Sequence, residues 1–325
     1  MGRFSPPDPF ALLRLARCPA PAIERWLELE LDAEDHRALQ AACAYSGLAL
    51  GDYYYWYRQK AHVASLVRRL SREAMARAAR RMDLTDYAAL AARLPRDRGI
   101  VLALPHHGHY IVSAINIMQH LGRDRQVLML YGDPSSHRGN EAFDDLTRVL
   151  FPPGKTRSSV VHTNRAGMAA ILKALSRGAI VVTMPDVYMR RDETYALPFC
   201  GRTLNVMLGT ASMARKTGAC ILPAVSEIHG RKLVTRCGEL IFPGDTTDGL
   251  SRDFHDYANT AAMFRFFEAV MGPQCLYWQY VRQHFSKRVP FPELRPEQLL
   301  GLWESFLKDP RNLASPTPPI PLDCP

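Results

Sequence analysis

The sequence predicts an α/β protein, a mainly parallel sheet flanked by helices, with a helical region ahead of it. Three observations carry this. Short apolar runs of strand length stand at residues 100–104, 126–131, 180–184 and 219–225. Amphipathic segments of helix length separate them, at about 111–121, 164–177 and 204–217. The first 96 residues show apolar spacing near 3.6 and no strand-like run. A βαβα order makes successive strands parallel, because each crossover helix returns the chain to the same end of the sheet.

In chain order, Ala22–Leu31, Asp35–Ala49 and Val63–Arg81 predict helices, with Asp32 and Ser71 near their boundaries. Between the last two stands Tyr53-Tyr54-Tyr55-Trp56-Tyr57, in which Tyr53, Trp56 and Tyr57 share a helical face. That face reads either as helix packing or as an amphipathic lid or interface belt. After the alternating region, Leu233–Cys237 predicts an edge strand, and Asp253–Met271 a helix stopped by Gly272-Pro273. Glu297–Lys308 carries an apolar stripe and predicts a docked helix, followed by an extended tail with five prolines. The expected organisation is a helical region over 1–96, an α/β domain over 97–290, and a C-terminal helix and tail over 291–325. With 47% hydrophobic residues the chain can build a sizeable core.

Chemistry concentrates at Pro105-His106-His107-Gly108-His109-Tyr110, where an apolar strand ends and a helix begins. In open α/β sheets ligands bind at the carboxyl ends of strands, and histidine titrates near neutrality. His106, the first polar residue after the strand, is the candidate general base. His107 and His109 read equally as residues that satisfy backbone groups in a turn. His106 and His109 would supply two metal ligands, but no HExxH or CxxC pair supplies the rest, so no metal or other cofactor is expected. A serine-nucleophile hydrolase lacks its GxSxG elbow. Seven cysteines are scattered without metal spacing and read as reduced thiols, and nothing argues for a lowered pKa at Cys200.

The histidine segment resembles the motif of the lipid A late acyltransferases (lauroyl/myristoyl acyltransferases), within the lysophospholipid acyltransferase superfamily. Their motif reads roughly H-F-G-N-W-E. Further blocks follow in the same order. Met184-Pro185-Asp186 is similar to the family's A-P-D, and Leu197-Pro198-Phe199-Cys200-Gly201 to V-P-F-F-G. Ala219-Cys220-Ile221-Leu222-Pro223-Ala224-Val225 resembles A-C-I-V-P-F-V, and Pro273–Arg288 resembles P-E-Q-Y-x-W-x-H-R-R-F-K-x-R. Leu130-Tyr131 sits where the family has Y-R-P.

The resemblance, over residues 98 to 290, implies an acyltransferase. Its donor would be a thioester on an acyl carrier protein or coenzyme A, and its acceptor a hydroxyl or amine. The product would belong to a specialised lipid or metabolite pathway. It implies His106 as base, backbone N–H groups near Gly108 and His109 as oxyanion donors, and His109, Tyr131 and Asp133 as substrate-binding residues. Two departures stand out. The motif's acid, five positions after His106, is Ile111, and the arginine of Y-R-P is Gly132. Asp186 has two readings, a turn residue after its strand or the carboxylate that replaces the motif acid. Without a carboxylate, a weaker base fits an amine acceptor better than an alcohol. A catalytically silent carrier-protein or acyl-chain binding subunit and a thioester hydrolase are the alternatives.

The net charge of +9 predicts an anionic partner. Arginines cluster at 68, 69, 72, 77, 80, 81, 93, 96 and 98. An acidic carrier protein accounts for them, as would an anionic membrane surface or a solvated helix face. Nucleic acid is not expected, since no HTH, RRM or KH signature accompanies the charge. No run of about 18 apolar residues occurs. The expectation is therefore a cytoplasmic protein, at most peripheral to the inner membrane, although the resembling enzymes usually carry an N-terminal anchor.

Overall fold

A computed structural model describes residues 31–67, 72–132, 151, 157–187, 195–230, 232–243 and 252–286. The helix expected at Ala22–Leu31 falls almost wholly outside these residues. So do Asp133, Arg68, Arg69, Glu297–Lys308 and the proline-rich tail.

Four helices precede the sheet: α1 (Ala33–Ser46), α2 (Leu50–Val67), α3 (Arg72–Met82) and α4 (Tyr87–Arg93). Asp32 caps α1, its carboxylate accepting from the Glu34 and Asp35 amides. Gly47 ends the helix in the left-handed region. The helix expected over Val63–Arg81 divides into the end of α2 and α3, and α2 begins much earlier, at Leu50. The aromatic run lies inside α2. There Tyr53 and Trp56 are buried, with their rings 5.8 Å apart.

The strands are β1 (Ile100–Ala103), β2 (Val127–Tyr131), β3 (Ser158–His162), β4 (Ile180–Thr183), β5 (Tyr195–Phe199), β6 (Arg202–Val206), β7 (Cys220–His229) and β8 (Lys232–Cys237). Six form one sheet in the order β3-β2-β4-β1-β7-β8. Its first five strands are parallel and β8 is an antiparallel edge. β1 and β4 are buried at every position, as central parallel strands covered on both faces must be. The remaining helices are α5 (Tyr110–Leu121), α6 (Arg165–Leu175), α7 (Gly209–Thr217), α8 (Arg252–Met271) and α9 (Val281–Phe285), with a 3-10 helix over Gly272–Tyr277.

Two hydrophobic clusters lie on opposite faces of the sheet. Val101 and Ala103 of β1 point into one, which also holds residues of α1, α2, α7, α8 and α9. Ile100 and Leu102 point into the other, under α3, α4 and α5. The N-terminal helices thus cover the sheet and the histidine turn at its edge.

Three corrections concern elements. Residues 204–206, expected as the start of a helix over 204–217, belong instead to β6, and the helix begins at Gly209. The period there is two: Arg202, Leu204 and Val206 are buried while Thr203 and Asn205 are half-exposed. β5 and β6 make a hairpin whose turn, Cys200-Gly201, takes positive φ at both residues. β3 was not expected either, its run of Ser158-Ser159-Val160-Val161-His162 being too polar to read as a strand.

Candidate active site

β1 and β4 are adjacent and parallel, with Ala103 opposite Thr183. His106 lies three residues beyond Ala103, and Asp186 three beyond Thr183. Equal overhangs from neighbouring strands in register bring both to one point on the sheet's carboxyl edge. His106 Nδ1 is 2.8 Å from Asp186 Oδ1, and the His106 backbone N–H donates to Oδ2 at 2.8 Å.

A third donor completes the carboxylate. The chain beyond the 3-10 helix runs antiparallel to the histidine segment, with His107 bridged to Trp278. Gly108 N–H donates to the Tyr277 carbonyl at 2.8 Å, and Gln279 N–H to the His106 carbonyl at 2.9 Å. This miniature ladder aims Trp278 Nε1 at Asp186 Oδ2, 2.8 Å away. Asp186 is 1% exposed and accepts three hydrogen bonds, which fixes its orientation. Trp278 stands in the closing block of the family resemblance, but only the fold shows that it reaches Asp186.

His106 retains 9% exposure, with Nδ1 turned inward to the carboxylate. A histidine that donates from Nδ1 to a carboxylate presents an unprotonated Nε2, the form a general base requires. Two phenol rings flank it edge-on, Tyr110 at 4.8 Å and Tyr280 at 5.4 Å between centroids. Neither tyrosine is marked as a site residue by sequence reasoning, since adjacency to the motif and to Trp278 is the only signal.

The other histidines face inward. His107 is fully buried, one ring nitrogen 3.0 Å from the Ser226 carbonyl and the other 2.9 Å from that of Gln274. Burial lowers its pKa. His109, expected to bind substrate, is 5% exposed and its Nε2 meets Gln59 Oε1 of α2 at 2.9 Å. Desolvation, reinforced by His107, pushes its pKa down to about 4. Trp56 Nε1 also reaches this turn, donating to the Gly108 carbonyl at 3.1 Å. A cleft of about 350 Å³ opens beside these contacts, walled by Trp56 and Gln59 of α2 and by Ile228, Gln274 and Tyr277.

Tyr131, also expected at the substrate, ends β2 and lies within electrostatic range of the Tyr110 and Tyr280 hydroxyls. Ile111 is half-buried and packs against the cluster under α5. The Gly108 N–H, expected as an oxyanion donor, is already committed to Tyr277. Cys200 is buried, and desolvation with the nearby Glu268 raises its thiol pKa, the opposite of what a nucleophile needs.

Among curated proteins no relative matches this chain. The sequence profile described as bacterial lipid A biosynthesis acyltransferase matches residues 64–287, over two thirds of the 325. That span contains the strands, the histidine segment, Asp186 and Trp278. The chain belongs to the bacterial lipid A biosynthesis acyltransferase family.

Proposed function

We propose that this protein moves an acyl chain from a thioester, carried by an acyl carrier protein or coenzyme A, to an acceptor hydroxyl at His106. The observation that carries the reading is the His106–Asp186 pair, held by Trp278. Asp186 takes over the work of the motif acid absent at Ile111. It orients the ring and stabilises the imidazolium that forms when Nε2 removes the acceptor's proton. The acceptor oxygen then attacks the thioester carbonyl directly. Collapse of the tetrahedral intermediate breaks the C–S bond, and the imidazolium returns its proton to the departing thiolate.

With a carboxylate behind the base, an alcohol acceptor is favoured over an amine. The same carboxylate speaks against a silent binding subunit. A buried carboxylate that three donors hold in one orientation, one of them the His106 ring, is arranged to support a proton-accepting histidine. The cleft beside α2 supports a path for the acyl chain along the N-terminal helices. Among the described residues no helix is long and apolar enough to cross a membrane. The proposed setting is the cytoplasmic face of the inner membrane, reached through basic charge.

Product analysis tests this reading. Wild-type protein given an acyl-carrier thioester and a lipid A precursor should form acylated precursor. Free fatty acid alone would mark a thioester hydrolase, and intact thioester a silent subunit. His106→Ala and Asp186→Asn should each fold and lose about 10²–10⁴-fold in kcat. Near-full turnover by folded His106→Ala would remove the histidine from the mechanism.

A further inference from the structure

Attack on a thioester places negative charge on the carbonyl oxygen, and that charge needs a donor already in place. The Gly108 amide is spent on Tyr277. Position 132, where the resemblance implies an arginine, is glycine. The phenols beside His106 offer another source. The Tyr110 hydroxyl donates to Gln279 Oε1 at 3.1 Å. The Gln279 side chain also acts on the neighbouring Tyr280 phenol, and with its oxygen engaged by Tyr110 the end it has left to offer there is its NH₂. Among the described residues the Tyr280 proton meets no protein acceptor, and the Tyr280 ring stands edge-on to both His106 and Trp278.

We propose that Tyr280 is the oxyanion donor of the acyl transfer, oriented by a relay from Tyr110 through Gln279. The proposal rests on His106 and Asp186 acting as read above. Tyr280 keeps its proton throughout. The acceptor's proton passes to His106 Nε2, the new C–O bond forms, and the carbonyl oxygen takes up charge while it accepts from the phenol. The C–S bond then breaks, and the thiolate leaves with the proton from His106. Each link donates in one direction, which strengthens the last hydrogen bond of the chain. Burial and the neighbouring Asp186 raise the Tyr280 pKa, which keeps the phenol a neutral donor. Tyr280 would be a catalytic residue and Gln279 a positioning residue.

The experiment measures transfer from a chain-length series of saturated acyl-carrier thioesters to a lipid A precursor. It compares wild type, Tyr280→Phe, Gln279→Met and His106→Ala, each checked for folding by thermal unfolding. Tyr280→Phe should lose about 10²–10³-fold in kcat with little change in KM, the effect of deleting one oxyanion donor. Gln279→Met should lose about tenfold, one hydrogen bond's worth of orientation. Fluorotyrosines at position 280 should give kcat values that vary with phenol acidity, a response that a packing role does not produce. Folded Tyr280→Phe at more than half of wild-type kcat, with His106→Ala inactive, would overturn the Tyr280 assignment and leave the base intact. Unchanged kcat across the fluorotyrosines would do the same. Full activity in His106→Ala, or wild-type protein inert toward every donor, would instead overturn the acyl-transfer reading and this proposal with it.

Discussion

Burial separates the three histidines of the 106–109 segment into different chemical roles. His106 keeps a rim of exposure and a carboxylate partner, whereas His107 and His109 are enclosed and bonded to groups that hold the turn. Enclosure has a thermodynamic consequence. His109 is pushed down to about 4 and His284 to about 3, both chiefly by desolvation, from an ordinary value of 6.5. Below pH 6.5 the unfolded chain takes up protons that the folded chain refuses. Stability from these two groups is therefore complete above pH 6.5 and falls as the pH drops toward 4. The slope approaches about 1.4 kcal/mol per pH unit for each group. Urea unfolding between pH 7.5 and 5 should show this decline, and His109→Gln should remove one group's share of it. A profile unchanged by His109→Gln would mean that His109 protonates freely in the fold.

The histidine turn depends on how closely its backbone approaches β7. Gly108 has φ +59°, and a Cβ placed there would stand 2.2 Å from the Ser226 carbonyl oxygen, a backbone atom of a central strand. Gly218, at the end of α7, has φ +67° with nothing within 4 Å. The two positions share a conformation and differ in space. Gly218→Ala should cost about 1–2 kcal/mol, the ordinary penalty for a left-handed L-residue. Gly108→Ala should cost distinctly more, about 2–4 kcal/mol, and should also lower activity in the molecules that remain folded. Guanidinium unfolding of both variants checks this, and equal losses would show that the turn lifts away from Ser226 at no expense. The sequence marks Gly108 as part of a motif, but the contact with Ser226 arises from a strand more than a hundred positions later.

Across the whole molecule, the excess positive charge is borne partly by helices beside the sheet. Arg77, Arg80 and Arg81 are exposed on α3, and Arg93, Arg96 and Arg98 are exposed after it. Residues 77, 80 and 81 fall on one helical face by their spacing. If an acidic carrier docks there, Arg77→Glu with Arg80→Glu should raise KM for the carrier-bound donor several-fold, more at low salt than at high. The same pair of changes should leave KM for a short thioester mimic near wild type. An equal rise for both donors would place the carrier elsewhere.

Five of the strands, the helices over 110–121 and 165–175, and the histidine segment at a strand's end were legible in the sequence. Central parallel strands are apolar throughout, and α5 and α6 keep their period over three turns, so short-range pattern suffices to find them. Short-range pattern missed β3, which is too polar, β5, whose Pro198 argues against a strand, and β6, whose alternation was masked by an adjoining helix. Asp186 was identifiable from its block both as a turn residue and as the carboxylate standing in for the motif acid behind His106, and local pattern did not choose between the two. The pairing with His106 spans 80 positions and requires β4 to lie beside β1 in matching register. Strand order is decided by which apolar faces pack together across the whole chain, and no local periodicity encodes it. The same long-range packing commits the Gly108 amide to Tyr277, turns His109 inward to α2, and carries Trp278 to Asp186. The sequence by itself determined the strand-end histidine segment and offered Asp186 as a candidate acid. The tertiary structure decided which of them meet, because contact between distant segments is set by sheet topology and burial.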